Sequence, residues 1–296
     1  MFTIKKIQKN HFNYIKLENK SNRSIAKISL QEGGRLEKLK FKGVSIIEDQ
    51  PNFEYKDCYS SAILFPFANR IEEGKYSYKN KEYQFKSNEP KSKNALHGLV
   101  YNKEFKILEK EYNSNSCSVT IYYSEKNECK SFPFKYTIFL TYTLLKDKLQ
   151  LKISIKNDDT KSFPFVLGWH PYFNCDDFKN SYLSFKSDKK VIFDNNLITK
   201  DIIESKNKER FELENKQLDD CFVLNSDVVQ FSTPKYKLKL SSTANENFLQ
   251  LYTPKDLPLI AIEPMTGISN SFNNKIGLQE LDANKSHNIT WTATFL

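Results

Sequence analysis

The sequence predicts an all-β protein, a large antiparallel β-sandwich with few short helices. Two observations support this prediction. Apolar and polar residues alternate with a period of two in several segments, which is typical of strands with one buried and one solvated face. Helical signals are scarce, because alanine is rare and no window sustains the i, i+3, i+4, i+7 spacing beyond about three turns.

The predicted strands of the first half are joined by short turns. Residues 76–85 read as a hairpin that turns at Asn80. In residues 134–144 every second side chain from Phe134 to Leu144 is apolar, and residues 149–155 alternate in the same way. The connection at residues 146–148 is short enough for a hairpin, so these two strands are expected to pair.

The second half repeats the pattern around one polar excursion. Residues 236–240 and 289–295 alternate as half-buried strands, whereas residues 194–217 are the most polar stretch, and residues 202–215 within them are expected to form a long surface excursion. No internal repeat, low-complexity block or Gly/Ser/Pro linker divides the chain. We therefore expect one domain over residues 1–296.

Composition excludes several classes of function. The 296 residues are 39% hydrophobic, which suffices for a core, and no charge-free stretch reaches the roughly 20 apolar residues of a membrane span. The first residues have no apolar core that would mark a signal peptide, so a cytoplasmic location is expected. The formal net charge is +9, but only 4 of the 45 basic residues are arginines (Arg23, Arg35, Arg70 and Arg210), which argues against nucleic acid as a partner.

The cysteines indicate neither a disulfide framework nor a metal centre. Five cysteines are an odd number, are irregularly spaced and form no CxxC pair. The histidines form no HxH or HExxH motif, so no metal site and no cofactor are expected. Reduced thiols in a reducing compartment are the simplest account.

Two of the four histidines lie in contexts that suit chemistry. His170 lies in residues 163–173, the most apolar neighbourhood of the chain, where it is either a hydrogen-bonded core residue or an active group shielded from water. His97 precedes Gly98, so that a turn is expected to bring its ring beside the main chain. His11 and His287 lie in polar surroundings and are expected at the surface.

Charged residues at three apolar segments complete a candidate set. Arg70 ends the apolar run 62–70, where it serves either a fork-shaped hydrogen-bonding role or an ion pair with a neighbour such as Glu72 or Glu73. Glu263 ends another apolar segment that is expected to be a strand. Burial raises the pKa of a carboxyl group towards the range that suits a general base. Asp219 and its neighbour at position 220 stand at a strand entrance, where an ordinary turn is the alternative.

At these residues the sequence resembles the aldose 1-epimerases, the galactose mutarotase family. The matching segments occur in the family's order and span most of the chain. Residues 66–76 and 168–173 carry the specific motifs. Residues 96–98 alone would be weak evidence, and residues 218–222 are of intermediate specificity. They are residues 66–76 (PFANRIEEGKY), 96–98 (LHG), 168–173 (GWHPYF), 218–222 (LDDCF) and 262–267 (IEPMTG).

The resemblance implies a supersandwich of the galactose mutarotase type and interconversion of the α and β anomers of a free hexose. It implies Glu263 as the general base at the C1 hydroxyl and His170 as the general acid at the ring oxygen. It also implies that Arg70 and His97 hydrogen-bond the sugar. Asp219 matches the aspartate that grips distal hydroxyls, with Asp220 as the alternative, and Asn69 is a further binding candidate. The expected partner is a small sugar bound by a monomer or homodimer, without nucleic acid or membrane.

Other functions remain open from the sequence. A hexose-6-phosphate 1-epimerase would share the His/Glu pair but needs a cationic pocket for the phosphate. A non-catalytic carbohydrate-binding protein would keep the cleft alone, and a regulatory protein would use lysine-rich faces to dock an acidic partner. Trp169 or Tyr172 could stack on the apolar face of a pyranose or belong to the core.

Overall fold

A computed structural model describes residues 1–89, 91–205, 210–214 and 216–296. Within these ranges helix is confined to α1 (Tyr55–Cys58), α2 (Ser271–Asn274) and a 3₁₀ turn (Glu72–Gly74). The remaining regular structure is strand. The strands are β1 (Phe2–Lys9), β2 (Phe12–Asn19), β3 (Ser24–Ser29), β4 (Leu36–Phe41), β5 (Val44–Glu48), β6 (Ile63–Leu64), β7 (Arg70–Ile71), β8 (Lys75–Tyr78), β9 (Lys81–Gln84), β10 (Ala95–Leu96), β11 (Lys106–Tyr112), β12 (Ser116–Lys126), β13 (Lys135–Leu145), β14 (Lys148–Asn157), β15 (Phe163–Phe165), β16 (Gly168–Trp169), β17 (Tyr172–Asn174), β18 (Tyr182–Phe185), β19 (Lys189–Phe193), β20 (Thr199–Glu204), β21 (Phe211–Glu212), β22 (Asp219–Val223), β23 (Val228–Ser232), β24 (Lys237–Ser242), β25 (Phe248–Tyr252), β26 (Leu259–Met265), β27 (Gln279–Leu281) and β28 (Ser286–Phe295).

Two large sheets and one smaller sheet organise these strands. The nine-stranded sheet has the order β11-β12-β13-β14-β28-β24-β23-β18-β21, and the eight-stranded sheet runs β20-β19-β22-β25-β26-β16-β6, with β17 also paired to β26. Strands β1 to β5 form a consecutive five-stranded meander, and β7/β10, β8/β9 and β15/β27 form two-stranded ribbons. The all-β sandwich predicted from the sequence is therefore confirmed.

The period-two segments become the interior strands of the nine-stranded sheet. On β13 the side chains of Tyr136, Ile138, Leu140, Tyr142 and Leu144 are buried while their neighbours are half-exposed. The predicted pairing of β13 with β14 and the β8/β9 hairpin are both confirmed. The strands β24 and β28, predicted separately, lie side by side.

Three sequence expectations need correction. Residues 62–70 do not form one strand, since only Ile63–Leu64 and Arg70–Ile71 are strands and the backbone between them is irregular. Glu263 lies inside β26 rather than at its end. The excursion expected at residues 202–215 includes part of β20 and all of β21, while residues 206–209 and residue 215 lie outside the described residues. Strand β20 is an edge strand that is exposed on most of its length, so it carries no apolar alternation.

Histidine and cysteine placement adds two facts. His287 is half-buried in β28 beside Phe165, contrary to the surface position expected for it. All five cysteines are free thiols, four of them buried.

No helix in the described part of the chain is long and apolar enough to cross a membrane.

Candidate active site

Successive side chains of β26 point alternately into the hydrophobic core and into a cleft. Ile260 and Ile262 point into the main hydrophobic core, whereas Ala261 and Glu263 belong to the opposite face. Glu263 pairs across the strands with Gln250 of β25, and both side chains are buried. The strand therefore presents a carboxyl group to the cleft while its other face anchors it in the core.

His170 reaches the same place from the segment between β16 and β17. Its N–H donates to the Ala62 carbonyl at 3.1 Å and its carbonyl accepts from the Ser61 N–H at 2.7 Å, which fixes the backbone. The ring nitrogen Nε2 lies 3.4 Å from Oε1 of Glu263, with both side chains less than a tenth exposed. The other ring nitrogen, Nδ1, has no hydrogen-bond partner among the described residues. His170 lines the cleft beside Glu263, and this position favours the active-group alternative over a hydrogen-bonded core residue.

His97 is held by a turn of unusual backbone geometry. Asn69 and His97 both have positive φ, of 56° and 63°, and the His97 N–H donates to the Asn69 carbonyl at 2.9 Å. Gly98 follows with φ 78°, and a Cβ there would lie 2.3 Å from the carbonyl oxygen of Phe65. Only glycine fits this close approach. The His97 and His170 rings meet edge to face with centroids 5.0 Å apart.

Arg70 makes an ion pair, but with a residue that the sequence did not indicate. Its partner is Glu89 rather than Glu72 or Glu73, through Nε and Nη2 at 2.6–3.0 Å. Nη1 of Arg70 donates to Oδ1 of Asn69 at 3.2 Å, so the arginine connects Glu89 with Asn69.

The register of β22 distinguishes the two aspartates. Asp219 lies opposite Tyr252 of β25 on the cleft face, and its Oδ1 accepts from Nε2 of Gln250 at 2.7 Å. Asp220 points to the other side and pairs with Nζ of Lys190 at 2.6 Å. Because successive residues of a strand face opposite ways, only the first aspartate reaches the cleft.

All six site residues expected from the sequence line one cleft of about 730 Å³. They are Asn69, Arg70, His97, His170, Asp219 and Glu263. Tyr172 also lines the cleft, where its ring stacks on His170 at a centroid distance of 5.0 Å, whereas Trp169 is a core residue. No group of three or more His, Cys, Asp or Glu side chains suited to a metal ion occurs among the residues that the structure describes.

Burial dominates the electrostatics of the cleft. It raises the pKa of Glu263 well above its usual range, with the charge of Asp219 adding to the rise and that of Arg70 opposing it. Burial lowers the pKa of His170 to about 4, and it lowers the pKa of His97 well below its usual range, with His170 and Arg70 adding to the second shift. The pKa of Asp219 is raised, first by burial and against the pull of Arg70. Burial therefore favours a protonated carboxyl on Glu263 beside neutral imidazoles on His97 and His170.

Among the polar residues of the cleft that the sequence analysis missed, Gln250 and Glu89 contact the candidate site residues directly. Gln250 sits in the otherwise apolar strand FLQLY, and a buried amide in such a strand was the available signal. Glu89 lies outside any strand, and nothing in its sequence context indicated a contact with Arg70.

Comparison with known proteins gives concordant matches over nearly the whole chain. A family model described as aldose 1-epimerase matches residues 14–293. The YihR protein of Escherichia coli strain K12 is 25% identical over 269 residues, covering 87% of this chain and 86% of that protein. The plasmid protein LacX of Lactococcus lactis is 22% identical over 258 residues, covering 81% and 84%.

Solved structures share the fold. A galactose mutarotase-like protein from Clostridium acetobutylicum matches with a TM-score of 0.90 at 20% identity, covering 100% of this chain and 98% of that one. A galactose 1-epimerase from Lactobacillus acidophilus matches with a TM-score of 0.83 at 17% identity, with the same coverage. These likenesses confirm the galactose mutarotase type of sandwich.

Proposed function

Because the chain belongs to the aldose 1-epimerase family, we propose that it is an isomerase that interconverts the α and β anomers of a free hexose. The observation that carries this proposal is the buried pair of His170 and Glu263, 3.4 Å apart at a cleft. Mutarotation moves one proton from the C1 hydroxyl and delivers one to the ring oxygen. Both oxygens are bonded to C1, so an acid and a base in mutual contact match the geometry of the reaction.

In the proposed reaction Glu263 removes the proton from the C1 hydroxyl while His170 protonates the ring oxygen. The electron pair of the O–H bond forms the carbonyl, and the C1–O5 bond breaks to give the open aldehyde. Rotation about C1–C2 presents the other face of the carbonyl, and the C5 hydroxyl then adds to it. The two side chains return the protons in reversed roles, which leaves the enzyme unchanged.

The pair needs one proton in total, and burial favours the arrangement in which the proton resides on the carboxyl and the imidazole is neutral. Sugar hydroxyls that enter the cleft replace water around these groups. Transfer of this proton from Glu263 to Nε2 of His170 across the 3.4 Å contact gives the carboxylate base and the imidazolium acid of the ring-opening step, and the reverse reaction uses the same two groups.

Binding is proposed for the remaining polar residues of the cleft. Arg70 and His97 are assigned to oxygens whose charge changes during ring opening, and Asp219 to distal hydroxyls. Asn69 supports Arg70 through its side-chain oxygen. The side chain of Gln250 connects two of these residues, because it donates a hydrogen bond to Asp219 and accepts one from Asn69. No cofactor is needed for this chemistry, and a monomer or homodimer in the cytoplasm is the expected setting.

The test is optical rotation of freshly dissolved α-D-glucose and α-D-galactose near pH 7. Equilibration faster than the buffer blank is expected for the wild-type protein, and the His170→Gln variant should match the blank while still binding sugar. The absence of acceleration with free hexoses, including at high protein concentration, refutes the proposal. Acceleration confined to glucose 6-phosphate would replace it with the sugar-phosphate reaction.

A further inference from the structure

Glu89 occupies one edge of the arginine that reaches the cleft. Its two carboxylate oxygens accept from Nε and Nη2 of Arg70 at 2.6–3.0 Å, and Oε2 also accepts from the Ser92 hydroxyl at 2.8 Å. Burial alone would raise the pKa of Glu89, but the hydrogen bonds and charge of Arg70 outweigh it and the pKa lies below its usual range. Glu89 is therefore a carboxylate, and its charge balances that of the arginine.

This contact changes what Arg70 offers to a ligand. A carboxylate or phosphate binds arginine most strongly through two parallel N–H groups, and the Nε/Nη2 edge is already filled in this way. A third N–H of Arg70 donates to Asn69. Among the contacts of the described residues, one N–H remains on each of Nη1 and Nη2. Because Glu89 balances the charge of the guanidinium, these two donors suit neutral sugar hydroxyls better than a second anion.

The two lysines that line the cleft, Lys56 and Lys91, are exposed, so solvent screens their charges. Lys56 is largely exposed and pairs with Glu54 at 2.7 Å. A sugar that carries an anionic group would meet the negative charges of Glu89 and Asp219, and such juxtaposition is unfavourable in a partly desolvated site. Burial keeps the proton on Glu263, and Asp57 is exposed, so that solvent screens its charge. The acidic side chains that line the cleft are Asp57, Glu89, Asp219 and Glu263, and the basic ones are Lys56, Arg70 and Lys91.

We propose that Glu89 is a specificity-determining residue that restricts the site to uncharged sugars, by filling one edge of Arg70 and balancing its charge. The proposal rests on the proposed function and specifies its substrate class. Removing the charge of Glu89 should free Arg70 to attract a carboxylate or phosphate borne by the sugar. Glu89 makes no contact with the acid–base pair, so the effect is measured as the ratio of anionic to neutral substrates, in which changes common to both cancel.

The experiment compares neutral and anionic substrates in the full-length protein. Anomer exchange of D-glucose, D-glucuronate and glucose 6-phosphate is followed by NMR magnetisation transfer for the wild type and for Glu89→Gln. The kcat/KM of the anionic sugars relative to glucose is expected to rise about tenfold or more in the variant, mainly through KM. Glu89→Asp, which keeps the charge, should restore most of the wild-type preference. Asp57→Asn removes the same charge from an exposed position of the cleft without contact to Arg70, and should change the ratio by no more than about twofold.

Two outcomes overturn the inference while leaving the proposed function intact. One is an unchanged substrate ratio in Glu89→Gln, and the other is an equal change in Asp57→Asn. If the wild type accelerates no anomer exchange, the proposed function fails, and calorimetric binding of methyl β-D-glucoside and methyl β-D-glucuronide to the same variants then tests Glu89 separately. The same shift in relative affinity supports the inference, and no binding of either glycoside overturns it.

Discussion

Replacing Glu263 with glutamine should separate catalysis from binding. The side chain is only 3% exposed, and glutamine has nearly the same volume, so the change leaves no cavity. The amide cannot accept the proton of the C1 hydroxyl, and loss of a general base typically costs about 10²–10⁴-fold in rate. We expect kcat to fall in that range while KM stays within a few-fold of wild type.

The same substitution has a predictable effect on stability. Burial raises the pKa of Glu263, so the folded protein keeps this proton over a pH range in which the unfolded chain has lost it. The free energy of unfolding therefore falls as pH rises from the unfolded pKa of about 4.3 towards the folded pKa, by about 1.4 kcal/mol for each unit between them. Glutamine has no proton to lose. The variant should match the wild type below pH 4 and be more stable at pH 7.

Two assays on the same protein samples check both parts. Anomer exchange of glucose by NMR gives kcat and KM, and urea unfolding at pH 4 and pH 7 gives the stability difference. Glu82→Gln makes the same chemical change at an exposed position of β9 and should alter neither quantity. A rate within about twofold of wild type would refute Glu263 as the base, and a less stable variant at pH 7 would refute the argument from burial.

Three further predictions concern His170, the two aspartates of β22 and Gly98. Because burial lowers the pKa of His170 from 6.5 to about 4, the wild type should lose on the order of 3 kcal/mol of stability as pH falls through that window. His170→Gln should flatten this dependence in urea titrations, and an unchanged slope would contradict it. Asp219→Asn should raise KM for glucose about 10–100-fold, through loss of a charged hydrogen-bond acceptor. In the adjacent variant Asp220→Asn steady-state kinetics should stay at wild-type values, and equal effects of the two would reject the assigned register. Gly98→Ala places a Cβ 2.3 Å from a backbone oxygen at φ 78°, and should lower stability by about 2 kcal/mol or more and displace the ring of His97; an alanine variant with wild-type unfolding and activity would show that the backbone relaxes freely.

Local pattern was enough for the parts of the fold that have one wet face. Strands β13, β14, β24 and β28 each bury alternate residues, and that alternation is written in the sequence. Alternation could not predict strands that are buried on both faces or exposed on both faces. Strand β26 is buried on nearly its whole length, so its apolar run concealed that Glu263 lies inside it. Strand β20 is exposed on most of its length and looked like a loop.

The residue types of the candidate site could also be chosen from the sequence, since a histidine or carboxyl group in an apolar segment must be either satisfied or functional. Their companions could not. Asn69 and Gln250 are 181 positions apart in the chain and yet hydrogen-bonded, and the partner of Arg70 proved to be Glu89 rather than a closer neighbour.

The sequence by itself thus determined the all-β class, the family and the identity of the acid and base candidates, because these depend on local alternation and on short motifs. Tertiary structure alone decided the 3.4 Å contact of His170 with Glu263, the choice of Asp219 over its neighbour, and the neutralisation of Arg70. Strand register and loop closure set these contacts. Both depend on which distant segments pack together, and a one-residue slip in register would turn each side chain to the opposite face of its sheet.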